Sequence, residues 1–364
     1  MAARLYAASY AGKLTSLSLE ASGEGYQLMT VSETTDCGTS PSWLMLDREN
    51  DFMYCLDEGI DRPNSTLSSF KLHSDGSFAK VEQLQTLVGP VASAFYTPTQ
   101  QPDQRFFAVA HYGRFNHSQS FTFAMPAPGP VPERQDAPHP HGVVVDPSGQ
   151  FILVPDLGAD LVRIFRICPT TGHLEQHQPL VVAPGSGPRH AVFWVPRNER
   201  RIRPKNVRLY LVTELDNSLT GYDMTYSNNG TILFSEFYVG STYGGSTPPA
   251  GSKVAEIAIS PGNDRIVISN RNDNTFGPRN DSIAIFALSS QAQSSSTSFV
   301  GLYPSFGSFP RQFDIYAEEG MVAIAQQNSR KVSVVKWDGV NDTLGSLLAE
   351  KEFDGEIPAV VWAF

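Results

Sequence analysis

Along most of this chain apolar residues alternate with polar ones in short runs, rich in Val, Ile, Phe and Tyr and closed by Gly, Asp, Asn or Pro. A period of two with β-branched and aromatic enrichment predicts half-buried strands, and the closing residues predict turns. No long segment carries a helical period. The runs also come in order. A Pro or small residue precedes a first apolar run, a turn follows, then a β-branched run ends abruptly in a polar residue. PSWLMLDRENDFMYCLDE begins this pattern at Pro41, and GPVASAFY…RFFAVAHYG repeats it at Pro90. It returns as HPHGVVVDPSGQFILVPDLG at Pro140 and GPRHAVFWVP…VRLYLVTEL at Pro188. AEIAISPGNDRIVISNRND starts at Ala255, FPRQFDIYAEEGMVAIAQQNS follows at Pro310, and IPAVVWAF closes the series at Pro358.

Most starts lie about 50 residues apart, the period of a repeat built from paired hairpins. A third strand-like run follows each hairpin: LSSFKL, SQSFTF, LVRIF, LTGYDM, SIAIFAL and KVSVVKW. The last unit stops after one strand, and RLYAASYAGKLTSLSLE at the N-terminus supplies its missing partners. The expectation is an all-β, seven-bladed β-propeller with four-stranded antiparallel blades. The C-terminal strand would pair with the N-terminal strands and close the ring, removing exposed edges. A single domain over 1–364 then accounts for the length. Long connections at 127–139 (APGPVPERQDAPH), 239–252 (VGSTYGGSTPPAGS) and after Arg271 are candidates for a binding face. The basic run RNERRIRPK at 197–205 and SSQAQSSSTS at 289–298 are expected as solvated loops.

Of the 364 residues, 41% are hydrophobic, enough for a large core, and the net charge is −10. An acidic surface repels phosphate backbones and anionic membranes, so nucleic acid and membrane are not expected partners. No apolar stretch is long enough to span a bilayer. No targeting signal opens the chain as written, which points to the cytoplasm. The alternative is a secreted protein whose signal has been removed, in keeping with sequons at Asn64, Asn116, Asn229, Asn280 and Asn341. Cys37, Cys55 and Cys168 have no metal-ligand spacing, and no cofactor is expected.

In an antiparallel hairpin the start of the first strand and the end of the second share one rim. Strand starts place Trp43, His141, Arg189, Glu256 and Arg311 there. Strand ends place Glu58, His111, Asp156, Glu214, Arg271 and Gln327 there. Three arginines, two histidines and several acids would ring one funnel. Partly desolvated charges need partners or a charged ligand, and arginine forks suit carboxylates. The alternative for each residue is a strand-end side chain that bonds backbone or staples two blades. Asp156 in PDLG reads as a turn cap, and Trp43 as channel wall.

The segments HPHGVVVDPSGQFILVPDLGADLVRIF, GSGPRHAVF, YLVTEL, ISNRND, FPRQF and QQNS resemble the lactonase family of seven-bladed propellers. That family includes bacterial 6-phosphogluconolactonase and the fungal 3-carboxy-cis,cis-muconate lactonizing enzyme, a cycloisomerase. RQDAPHPHG and CGTSPSWLMLD…YCLDEG are most similar to the muconate-cyclase-like branch. The resemblance implies a catalytic set of His141, Arg189, Glu214 and Arg271, working without a metal. Arg311, His111, Gln327, Asp156, Trp43, Glu58 and Glu256 would then bind substrate. The resemblance further implies a Cys37–Cys55 disulfide with Cys168 free, the alternative being three reduced thiols. The first expectation is a cyclase that forms or opens a lactone on a small carboxylate. Arg189 and Arg271 would clamp carboxylates, His141 would donate the proton, and Glu214 would orient His141 or an arginine or share the proton transfer. The alternatives are a hydrolytic sugar lactonase, a tailoring cyclase, or a non-catalytic binding module. The protein would be a monomer or a weak homo-oligomer.

Overall fold

The computed structural model describes residues 3–23, 25–86, 88–112, 119–196, 207–227, 230–288, 296–341 and 343–363. Every regular element among them is a strand. The first sheet holds β1 (Ala3–Ser9), β2 (Lys13–Ser22) and β3 (Gly25–Thr34). β4 (Pro41–Asp47), β5 (Phe52–Asp57), β6 (Ser65–Leu72) and β7 (Phe78–Thr86) form the next. β8 (Pro90–Tyr96) and β9 (Phe106–His111) pair alone. A four-stranded sheet follows from β10 (Val144–Val145), β11 (Phe151–Asp156), β12 (Leu161–Ile167) and β13 (Leu174–Val181). The next consists of β14 (Pro188–Trp194), β15 (Arg208–Thr213), β16 (Ser218–Tyr226) and β17 (Ile232–Ser241). Then come β18 (Lys253–Ile259), β19 (Arg265–Arg271), β20 (Ser282–Leu288) and β21 (Thr297–Pro304). The last new sheet is β22 (Pro310–Tyr316), β23 (Met321–Gln326), β24 (Lys331–Asp338) and β25 (Thr343–Glu352). Finally β26 (Ala359–Trp362) returns to the first sheet, whose order is β26-β1-β2-β3.

Among the described residues the propeller therefore has six four-stranded blades, which corrects the expectation of seven. The remaining unit is the two-stranded sheet β8–β9. The third run expected there, SQSFTF, forms no strand over its described residues 119–123. Its residues are occupied differently. The Gln119 side chain, rather than its backbone, bonds Leu174 through both its amide nitrogen and its oxygen (2.6 and 2.8 Å). Phe121 packs on Phe165 of the following sheet at 4.6 Å. Beyond it, Pro126, Pro128, Pro130 and Pro132 lack the N–H groups a ladder needs. Nor does a hydrogen-bonded sheet run round the molecule, since each sheet stops at its own outer strand. Side-chain packing joins the sheets instead. One buried cluster links β10–β13 to β14–β17 through Leu153, Val162, Leu209 and Leu211. Another links the β22–β25 sheet to the first through Ala323, Val334, Leu5 and Trp362.

The loop runs 197–205 and most of 289–298, and the sequons at Asn116 and Asn229, lie outside the described residues. Asn64 and Asn341 are exposed, whereas the Asn280 amide oxygen accepts the Phe306 N–H at 2.9 Å. Cys37 and Cys55 are bonded to each other, Cα atoms 6.0 Å apart, and Cys168 is free.

Candidate active site

The inner strands share a local irregularity. The ladder slips between Pro41 and Trp43, Pro188 and His190, and Pro310 and Gln312. A bulge of this kind breaks the strict alternation of a strand and re-aims side chains. The consequence is that neighbours in sequence face the same way. Ser42 and Trp43, Arg189 and His190, and Arg311 and Gln312 all line one narrow cleft. His141 and Glu256 complete its polar wall, Glu256 lying within a similar slip between Val254 and Ile257.

Beside the cleft, behind Arg189, Glu214 is enclosed by cations. Arg189 Nε and Arg271 Nη2 donate to Oε2 at 3.1 and 2.7 Å, and Arg134 Nη2 lies 2.6 Å from Oε1. Arg189 is fully buried and also donates to the Ala255 carbonyl at 2.6 Å, while Arg271 donates to that of Val254 at 3.1 Å. Burial alone would raise the Glu214 pKa. The opposing fields of Arg271, Arg189, Arg134 and Lys253 win, holding it down to about 2. Burial and the neighbouring Arg271 charge bring the Arg189 guanidinium down to about 10. Glu214 is thus a permanent anion that organises guanidiniums, and Arg189 is stapled on two sides.

His141 donates its backbone N–H to Pro155 at 2.8 Å, and its ring Nδ1 is buried with no hydrogen-bond partner. Burial, followed by the charge of Arg189, holds its pKa well below the ordinary 6.5. That environment disfavours its charged form. Its ring meets the ring of His190 at 5.3 Å, and His190 in turn meets Trp43 at 5.9 Å. His190 Nδ1 donates to Glu256 Oε1 at 2.8 Å.

Arg311 occupies another part of the wall, donating to the Tyr10 hydroxyl and lying 3.5 Å from Glu58. Tyr10 also donates to Glu58 at 2.7 Å. Burial pushes the Glu58 carboxyl up to about 7, with the Asp57 charge adding to the shift and Arg189 opposing it. Four expected binding residues do not line the cleft, Glu58 behind Arg311 being one. Asp156 is spent on its turn: Oδ1 accepts the N–H groups of His139 and Ala159, and Oδ2 accepts Arg163 Nε at 2.6 Å. Gln327 donates to Glu356 at 2.8 Å, and His111 is buried at the end of β9.

Sequence reasoning missed His190 and Arg134. His190 follows a residue that was found, and only the bulge puts both on one side. Arg134 lies in the 127–139 connection, expected as part of a binding face but not resolved to a residue. Among the described residues no group of three His, Cys, Asp or Glu side chains is arranged to hold a metal ion. A second groove, between β2, β3 and the end of β25, has its charges spent internally. Lys13 there lies 3.6 Å from both Glu33 and Asp354.

Residues 4–362 match the family described as "Lactonase, 7-bladed beta-propeller". This chain belongs to the lactonase family. The family description counts seven blades; here six form, beside the two-stranded sheet. A relative from Arthroderma benhamiae, named probable 6-phosphogluconolactonase, is 32% identical over 70% of this chain and 63% of its own length. The chain thus spans under two thirds of that relative. The 6-phosphogluconolactonase of Formosa agariphila is 25% identical over 92% of this chain and 90% of its own. Among solved structures, the periplasmic gluconolactonase of Pseudomonas aeruginosa superposes with a TM-score of 0.75 at 20% identity. That match covers 100% of this chain and 99% of the other, and speaks for the fold.

Proposed function

We propose that this protein hydrolyses a small, negatively charged lactone, with sugar-acid lactones as the first class to test. The observation that carries this reading is the excess of cations beside the cleft. Arg134, Arg189, Arg271 and Lys253 act on the carboxylate of Glu214, and Glu256 offsets part of the Arg189 charge. Positive charge left over in a desolvated place is stabilised by an anion from solution. The exposed Glu133 offsets part of the Lys253 charge from the rim. Membership of the lactonase family, and relatives named for lactone hydrolysis, support the lactone as the reacting group.

The chemistry follows from the same groups. Attack of water on a lactone carbonyl builds negative charge on its oxygen, which nearby guanidiniums stabilise in a water-poor site. Ring opening leaves a carboxylate that these cations can hold. The attack needs a base, and a neutral imidazole is one. The disulfide and the exposed sequons at Asn64 and Asn341 support an oxidising, secretory setting.

A pH-stat assay of acid release tests the reading. Phosphorylated gluconolactone should be opened faster than the spontaneous rate, with saturation. Arg134→Ala should raise KM for the charged lactone about tenfold, the value of one charge-assisted contact. KM for uncharged gluconolactone should change far less. Release at the spontaneous rate from both lactones would overturn the reading, and loss of diene absorbance from a muconate would replace it.

A further inference from the structure

We infer that His190, held by Glu256, is the base that takes the proton of the attacking water. The inference rests on the hydrolytic reading above and deepens it. Three observations carry it. His190 lines the cleft beside Arg189 and His141. Its Nδ1 is tied to Glu256 Oε1 at 2.8 Å, and its Nε2 is buried without a hydrogen-bond partner. Glu256 is itself fixed, since Oε1 also accepts the Ile257 N–H at 3.1 Å and its own backbone N–H donates to Ser269 Oγ at 3.0 Å.

A carboxylate on Nδ1 sets the tautomer. The ring carries its proton on Nδ1 and presents a bare lone pair at Nε2. The same carboxylate stabilises the imidazolium once that lone pair has taken a proton. His141, 5.3 Å away, has no such partner. Arg189, His190 and Arg271 all oppose its charging. Two imidazoles therefore share one cleft, and only one is built to cycle through the charged form. Glu256 acts through His190 and is a positioning residue.

The step balances without a further reagent. Nε2 takes a proton from water as the water oxygen bonds the lactone carbonyl carbon, and the carbonyl electron pair moves onto its oxygen. Collapse of that oxyanion breaks the ring carbon–oxygen bond. The departing ring oxygen keeps the electron pair and takes the proton back from Nε2. One water is added and the dyad is restored.

Two measurements on the full chain test this. In the assay above, His190→Gln should lower kcat about 10²–10⁴-fold, the usual worth of a positioned base. KM should stay within about threefold, because an interaction made only in the transition state is lost. Added imidazole should restore part of the turnover of His190→Ala. Glu256→Gln should lower kcat about 10²-fold or more, as loss of a tautomer-fixing carboxylate does, with partial recovery in Glu256→Asp. His141→Gln should lower kcat less than His190→Gln. Independently of activity, nitrogen NMR of labelled histidine at alkaline pH should find the His190 proton on Nδ1. A proton on Nε2 overturns the inference. So does a His190→Gln enzyme with wild-type kcat, while leaving hydrolysis standing. A wild-type protein inactive on every lactone overturns both.

Discussion

Glu214 shows how one buried carboxylate can organise the cations around it. Its carboxyl is buried, yet the three arginines keep it ionised down to about 2 from an ordinary 4.5. A carboxyl depressed in the folded state stabilises the fold above its unfolded value. That stability is lost as pH falls from 4.5 through about 2. The depression corresponds to something on the order of 3 kcal/mol. Glu214→Gln removes it and leaves buried guanidiniums facing one another, a loss of about 3–5 kcal/mol for a broken buried pair. Urea unfolding at neutral pH should show that loss. The gap from wild type should narrow through the acid window, where the wild type gives up the same contribution. A gap constant with pH would mean that the carboxylate is not the organising charge.

At the scale of the strand, the bulge decides what the sequence could reveal. Reading strand starts by simple alternation found Arg189 and Arg311, because each follows its Pro. The same rule assigns the next residue to the opposite face, so His190 and Gln312 were passed over. Alternation alone does not show where a ladder slips. Strand ends were read less well. Glu214 and Arg271 meet Arg189 beside the cleft, whereas Asp156 is captured by the N–H groups of its own turn. Arg134 had no periodicity to mark it, since it rides on a Pro-rich connection that follows no regular element. The fold was more legible, since six units keep a third and fourth strand. The seventh fails where Phe121 and Phe123 pack on the next sheet. The Cys37–Cys55 bond belongs to this scale too. It ties β5 to the entry of β4 across a separation of 18 residues. A loop of that size restricts the unfolded chain by about 3 kcal/mol. Replacing both cysteines by Ala should cost roughly that in denaturant unfolding, and non-reducing alkylation of the wild type should label Cys168 alone.

For the whole molecule, the weak point is the join between its two ends. β26 is the innermost strand of the first sheet, paired with β1 from Leu5↔Trp362 to Ala8↔Ala359. Its other edge has no strand partner, and side chains of β22 serve it instead. Gln312 Oε1 accepts the Val360 N–H at 2.9 Å, and Asp314 Oδ2 accepts that of Trp362 at 2.8 Å. The Asp314 carbonyl accepts the Trp362 indole N–H at 3.1 Å, and Arg48 donates to the Trp362 carbonyl at 3.0 Å. Trp362 itself is wholly buried between the first and last sheets. One short strand thus fastens three sheets, which hold Arg311 and Trp43 on either side of the cleft. Trp362→Ala should cost about 3–5 kcal/mol through the cavity it leaves. Deleting residues 359–364 should do more, because it bares the β1 edge and removes what the β22 side chains bind. Size-exclusion chromatography should show the deleted chain associating where the intact one elutes at a smaller size. A deleted chain with unchanged size and melting temperature would mean that packing of the remaining sheets closes the molecule without its last strand.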